Sequence, residues 1–260
     1  MNKQKLDAWL YPNKDEVKDY FLKQWEHPYR STIKFCEWLN NFNIFNVVGC
    51  AKNICDIGCG AGANAYYLSK QYPNLCLTGI DISPYLILLA KKQLDIKNKH
   101  LYNFEKTEIT YKTGDLYNLS PKIKNNFYGV IMFQVLSWLP EYKKALTQIS
   151  KLTPQWIAFS CLMNDSLVEC EIKTKDYSRT DQGEYQEKYY NIYSIEKVKN
   201  LLYSLGYKQF YWTPFEIDID IKKDEKNKGM GTYTQKMKTD ERIQISGGLL
   251  LNWNFILARK

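Results

Sequence analysis

Asp56-Ile57-Gly58-Cys59-Gly60-Ala61-Gly62 is the stretch on which the reading of this sequence turns. Apolar residues run into it from Ile54, and a helical pattern over roughly 62–72 follows it. The three glycines permit a tight turn and a close backbone approach by a ligand. The start of the following helix supplies backbone N–H groups without helical partners. Leu75–Asp81 then reads as a buried strand ending on a carboxylate, with Asp81 placed 21 residues after Gly60. An acid in that position can accept both hydroxyls of a ribose.

The alternation continues outward. Ser83-Pro84 opens a helix to about residue 97, with serine as cap and proline in the first turn. Glu108–Thr113 and Phe127–Phe133 read as strands, Glu141–Leu152 as a helix and Trp156–Cys161 as a strand. Such regular βα alternation predicts a mainly parallel sheet with helices on both faces. Upstream, 14–26 and 31–42 read as helices. The second shows Phe35, Trp38, Leu39 and Phe42 on one face and Ser31 or Thr32 as cap. Residues 162–193 are polar and tyrosine-rich and read as an insertion. Ser194–Leu205 is a helix stopped by Gly206. Phe210–Ile221 and Leu249–Leu257 read as two long strands, joined by the charged segment Lys222–Gly248, which predicts an antiparallel edge.

Bulk properties bound the function. The 260 residues, 45% hydrophobic and 25% charged, suit one large α/β domain. Met1–Asp7 has lysines with no apolar run behind them, so a secretory leader and a membrane partner are not expected and the chain reads as cytoplasmic. Seven cysteines without a C-x-x-C pair predict neither a zinc site nor a disulfide framework. The net charge is +8, but only four of 36 basic residues are arginine, so a nucleic-acid groove is not expected. The basic balance suits an anionic small molecule.

Gly58-Cys59-Gly60-Ala61-Gly62-Ala63 also satisfies the dinucleotide pattern G-x-G-x-x-[GA]. Asp56 discriminates. A carboxylate beside a pyrophosphate is repelled, whereas beside a cationic methionyl ligand it is tolerated or useful.

At this point the sequence resembles the class I S-adenosylmethionine-dependent methyltransferases over about residues 50–160, and in outline at its end. Asp56–Gly62 resembles their first motif, and Gly79-Ile80-Asp81-Ile82-Ser83 the second. Gly114-Asp115-Leu116 resembles the third, and Phe127–Trp138 the fourth. The resemblance implies a Rossmann-like α/β fold: a seven-stranded, mostly parallel sheet with an antiparallel last strand and helices on both faces. It also implies S-adenosylmethionine as cofactor. Gly58, Cys59 and Gly60 would form the cofactor turn. Asp81 would hold the ribose, Ile82 pack on adenine, Asp115 receive the adenine amine, Leu116 offer its backbone, and Gln134 face the methionyl part. Residues 1–45 would form a helical lid over a domain spanning 46–260. In that lid Trp25 or Tyr29 would cover the site, and Arg30 would grip the cofactor carboxylate with its two-pronged guanidinium.

Two departures bear on catalysis. Tyr128 stands where many members carry aspartate, and Ser137 where many carry histidine. No catalytic residue is therefore assigned. The two histidines, His27 and His100, are not expected to serve as bases. Tyr29, Tyr193 and Tyr233, with Asn191, are candidates for the acceptor pocket, and no metal ligands are evident. Phe133-Gln134-Val135-Leu136 lacks the pattern of nucleic-acid base methylation, which leaves a small-molecule acceptor. Arg242–Trp253 resembles methyltransferases that modify bacterial surface polysaccharides or their phosphoramidate groups. An anionic phosphoramidate precursor would need no base. A NAD(P)-dependent oxidoreductase and a non-catalytic cofactor-binding protein of the same fold are the alternative readings.

Overall fold

The computed structural model describes residues 6–7, 12, 17–45, 52–99, 101, 109–119, 123, 127–178, 185–226 and 231–260. His100 lies outside them. The strands of the main sheet are β1 (Lys52–Ile57), β2 (Leu75–Asp81), β3 (Ile109–Thr113), β4 (Gly129–Met132) and β5 (Trp156–Asn164). The insertion contributes β6 (Lys173–Asp176) and β7 (Gln186–Tyr189), and the C-terminal part β8 (Gln209–Pro214), β9 (Thr232–Lys236), β10 (Arg242–Ser246) and β11 (Trp253–Arg259). The α-helices are α1 (Arg30–Asn40), α2 (Ala63–Gln71), α3 (Pro84–Asn98), α4 (Tyr142–Ser150) and α5 (Ile195–Ser204).

The main sheet runs β8-β11-β5-β4-β1-β2-β3. β11 is antiparallel to both neighbours, while the pairs from β5 to β3 are parallel. The expected seven strands become eight. β5 extends to Asn164, three residues past the apolar run that predicts it, and Tyr193–Ser194 pairs with that extension. β8 stops at Pro214, short of the expected Ile221, because proline cannot donate to a ladder and closes this edge strand.

The central strands are covered on both faces, so their residues read as unbroken apolar runs. On one face Cys55, Val130, Ile157 and Ile256 pack against Ala145, Leu146 and Ile149 of α4 and Val198 and Leu202 of α5. On the other, Ile54, Leu77, Ile131 and Phe255 pack against Phe35, Cys36 and Leu39 of α1 and Leu68 of α2. The N-terminal segment thus divides. α1 is a layer on the sheet, and Val17–Trp25, a π-helical turn and a 3-10 turn in place of one regular helix, reaches the glycine turn. Neither Ser31 nor Thr32 caps α1. Its cap position is Tyr29, extended after Pro28, and both hydroxyls point elsewhere.

Beside the main sheet, Leu6–Asp7, β7 and β6 form a three-stranded sheet. β9, β10 and Leu249–Leu250 form another within the segment that reads as a connection. Among the described residues no helix is long and apolar enough to cross a membrane.

Candidate functional site

A cavity of about 470 Å³ opens at the carboxyl ends of β1, β2, β3 and β4. Parallel α/β sheets place ligands there, and the volume lies within the roughly 300–1,000 Å³ of small-molecule sites. Gly58, Gly60, Asp81, Ile82, Asp115, Leu116 and Gln134, residues that the sequence motifs single out, line it. A polar recess of about 50 Å³ adjoins it, bounded by Tyr29, Ser31, Thr32, Cys59, Asn64, Gln134 and Ser160.

The turn after β1 is held by its own amides. Gly58 N and Cys59 N donate to Ile80 O at 2.7 and 3.1 Å, and Gly62 N donates to Cys59 O at 2.9 Å. Gly60 N donates to Asp81 Oδ2 at 2.9 Å. A pyrophosphate-binding turn must present such N–H groups to its ligand, and here those of Gly58, Cys59, Gly60 and Gly62 are already engaged. Gly60 has φ +54°, and a Cβ there would stand 2.8 Å from Phe21 Cε1, so the aromatic ring closes over a position that requires glycine.

Asp81 is buried, and its other oxygen, Oδ1, accepts from Ser83 N at 2.9 Å. Burial raises its pKa, and the backbone donors pull it back in part. Each oxygen keeps a lone pair for a hydroxyl donor. Asp56 is wholly buried behind the turn, with neither carboxylate oxygen hydrogen-bonded. Burial, then repulsion from Asp81, raises its pKa well above the ordinary carboxylate range. Gln134 sits in the left-handed region at φ +56°, an uncommon backbone for a non-glycine residue. Its N donates to Ser160 Oγ at 2.9 Å and its Nε2 to Ser31 Oγ at 3.2 Å, which fixes the side chain between cavity and recess.

Several expected site residues are placed otherwise. Arg30 does not line the cavity. Its Nε donates to Asp218 Oδ1 at 2.8 Å and its Nη2 pairs with Asp218 Oδ2, so its two-pronged donor is already engaged. Trp25 is absent from the walls of the cavity and the recess. It is buried against Tyr66, and its Nε1 donates to Ala61 O at 2.9 Å, which ties the N-terminal segment to the glycine turn. Tyr193 is core. Its hydroxyl accepts from Asn191 Nδ2 at 3.2 Å and reaches Leu136 O and Leu139 O at 3.2 and 3.3 Å. Asn191 likewise spends its amide on Leu139 O and Ile172 N. Tyr233 lies on β9, with Lys223 Nζ 5.6 Å from its ring, and is absent from the cavity wall. Ser137 is fully buried, accepts from Leu162 N at 2.8 Å, and holds structure rather than substrate. His27 is exposed and away from the wall.

The wall also contains residues that the motifs do not announce. Tyr20 and Phe21 come from the N-terminal turn, Tyr117 follows β3, Trp138, Leu139 and Pro140 follow β4, and Glu187, Lys188 and Tyr189 come from β7. Trp138 closes the fourth motif and was within reach of the sequence. The β7 residues have no such signal, because Gln186-Glu187-Lys188-Tyr189 lacks an apolar alternation. Among the described residues no group of three or more His, Cys, Asp or Glu is placed to hold a metal.

Residues 54–155 match the family model of a methyltransferase domain. The trans-aconitate 2-methyltransferase of Mycobacterium ulcerans (strain Agy99) is 28% identical over 110 residues, covering 42% of this chain and 36% of that protein. That of Methylobacterium nodulans is 23% identical over 116 residues, covering 45% and 40%. The chain thus spans well under half the length of these relatives. Magnesium protoporphyrin IX methyltransferase from Synechocystis PCC 6803, solved with bound S-adenosylhomocysteine, superposes with a TM-score of 0.52 at 13% identity, over 89% of this chain and 82% of that one. Haemonchus contortus phosphoethanolamine N-methyltransferase 2 in complex with S-adenosylmethionine gives 0.51 at 15% identity, over 86% and 52%. The fold is the Rossmann-like one that these two solved methyltransferases share.

Proposed function

We propose that a chain with this fold and cavity is an S-adenosylmethionine-dependent methyltransferase acting on a small anionic acceptor. The observation that carries the reading is the glycine turn. Four of its amides, those of Gly58, Cys59, Gly60 and Gly62, are engaged within the protein, and the carboxyl groups of Asp81 and Asp56 stand beside and behind it. This arrangement disfavours a pyrophosphate, and in it a cationic ligand favours their ionised form. The matched methyltransferase domain supports the same reading.

The residues present fit that cofactor. Asp81 would accept the ribose hydroxyls, and Ile82 and Leu116 would flank adenine, with Asp115 accepting its amine. Gln134 and the recess of Ser31, Thr32 and Asn64 would receive the amino-acid end, in place of Arg30. Val17–Trp25 would act as the cover, through Tyr20 and Phe21, over a domain that includes the insertion. Bound there, S-adenosylmethionine supplies a methyl group on a cationic sulfur, open to in-line displacement. The protein's part is to hold the acceptor in line and exclude water, which Trp138, Leu139 and Phe133 can do as apolar wall.

The acceptor class follows from the groups on the wall. No histidine lines the cavity among the described residues. Burial pushes the Tyr20 and Tyr117 hydroxyls up to about 12, so neither is a base at neutral pH. An acceptor already carrying a negative oxygen needs none. The relatives named as trans-aconitate methyltransferases also point to a carboxylate. A phosphoramidate precursor belongs to the same anionic class. Arg242–Trp253, whose resemblance suggests it, contributes nothing to the cavity wall, so a carboxylate is the favoured acceptor. The test is transfer of a labelled methyl group to a panel of carboxylates, phosphoramidates and neutral alcohols. Label is expected in a small anion. Label found only in protein or RNA would overturn the reading.

A further inference from the structure

The family match ends at residue 155, yet part of the cavity wall comes from β7, about thirty residues beyond it. Part of the cavity wall is therefore built by sequence outside the matched domain.

Three sets of bonds fix β7 against the cavity. β6 pairs with it antiparallel, Lys173 to Tyr189 through Asp176 to Gln186. Leu6 and Asp7 pair with Gln186 and Glu187 on its other edge. At its end Asn191 N donates to Ser137 O at 2.9 Å, and Asn191 Nδ2 donates to Leu139 O at 2.8 Å. That last set seats β7 on the turn after β4, the same turn that follows Gln134 and carries Trp138.

Alternation along β7 sorts its side chains. Lys173 on β6 is 3.0 Å from Glu187 and 5.3 Å from the Tyr189 ring, so those three share a face and the Glu187 charge is matched there. Lys188 takes the opposite face. It is 9% exposed, an uncommon burial for lysine, and it lines the cavity. Among the described wall residues it is the only cation; the other charged wall residues are Asp81, Asp115 and, on the other face of β7 and paired with Lys173, Glu187. Tyr117 and Trp138 supply aromatic surface in the same cavity. An ammonium has three donors, so it can keep a structural partner and still bind an anion.

We propose that Lys188 is the specificity-determining residue that binds the acceptor's anionic group, carboxylate or phosphoryl, at the β7 end of the cavity. The proposal rests on the methyltransferase reading above. β7 acts as a recognition strand: its backbone is held by β6, Leu6–Asp7 and the turn after β4, and Lys188 presents the charge. An acceptor with its anion on Lys188 and its body against Trp138 and Tyr117 is confined at two points, which orients its reacting oxygen.

The test is calorimetric binding of trans-aconitate, and separately of phenyl phosphate, to protein loaded with S-adenosylhomocysteine. Wild type, Lys188→Gln and Lys188→Arg are compared. At least one anion is expected to bind wild type saturably. Lys188→Gln is expected to weaken that binding tenfold or more, Lys188→Arg to restore most of it, and the affinity of all three proteins for S-adenosylhomocysteine to stay within twofold. The relative strengths of the two anions separate a carboxylate site from a phosphoryl site. Equal anion binding by wild type and Lys188→Gln would overturn the proposal, as would binding of neither anion, and both results would leave the cofactor reading standing. Failure of wild type to bind S-adenosylhomocysteine would overturn both.

Discussion

Asp56 shows how much one buried charge decides. Its folded-state pKa is raised, by burial and then by Asp81, so the folded protein holds its proton to higher pH than the unfolded chain does. Between the ordinary carboxylate value near 4 and the raised value, folding binds a proton, and stability falls as pH rises through that window. A cationic ligand reverses the preference by favouring the ionised form. The account therefore predicts that urea unfolding midpoints of the free protein fall with rising pH more in wild type than in Asp56→Asn. It also predicts that affinity for S-adenosylmethionine rises with pH in wild type and less so in the variant. Parallel pH profiles for the two proteins would contradict this. Asp56, Asp81 and Asp115 were legible because each stands at a strand end fixed by local pattern. Arg30 was not. Its partner Asp218 lies 188 residues away, and nothing local to Arg30 announces that its donors are engaged. Tyr193 misled for a related reason: tyrosine suits a pocket and a core equally, and only the carbonyls of Leu136 and Leu139 decide between them.

At the scale of elements, the turn after β1 and the N-terminal turn are fitted to each other. Phe21 lies over Gly60, and Trp25 bonds to Ala61 O. Gly60→Ala adds a methyl group 2.8 Å from the Phe21 ring at a left-handed backbone position. The left-handed backbone alone costs about 1–2 kcal/mol for a residue with a Cβ. The variant is expected to lose at least that much stability and much of its affinity for S-adenosylhomocysteine. Phe21→Ala in the same chain relieves the clash, so the double variant should lose less than the sum of the single ones, by chemical denaturation. Strict additivity would show that the ring and the turn are independent. The βα alternation from β1 to β5 was legible because buried parallel strands are nearly continuous apolar runs. The hairpin of β9 and β10 was not. Its strands are half-exposed and polar, so their composition matches that of a connection. β7 escaped for the same reason, although it contributes Glu187, Lys188 and Tyr189 to the cavity wall.

Over the whole molecule, the sheet brings together groups from both ends of the chain. In the proposed function the cofactor side of the cavity comes from β1 to β4 and their turns, the cover from Val17–Trp25, and the acceptor side from β7 and the turn after β4. The cofactor side was readable from sequence because its residues fall within about 80 positions in motif order. The acceptor side was not, because it depends on an insertion strand docking on a distant turn through Asn191. The central claim is that the engaged glycine turn, with carboxylates around it, selects a methyl donor over a dinucleotide. The measurement that tests it most directly is equilibrium binding of S-adenosylhomocysteine and of NAD to the purified protein, side by side. Saturable binding of S-adenosylhomocysteine is predicted, accompanied by thermal stabilisation that grows with its concentration, and none for NAD. Saturable binding of NAD with none of S-adenosylhomocysteine would contradict the account.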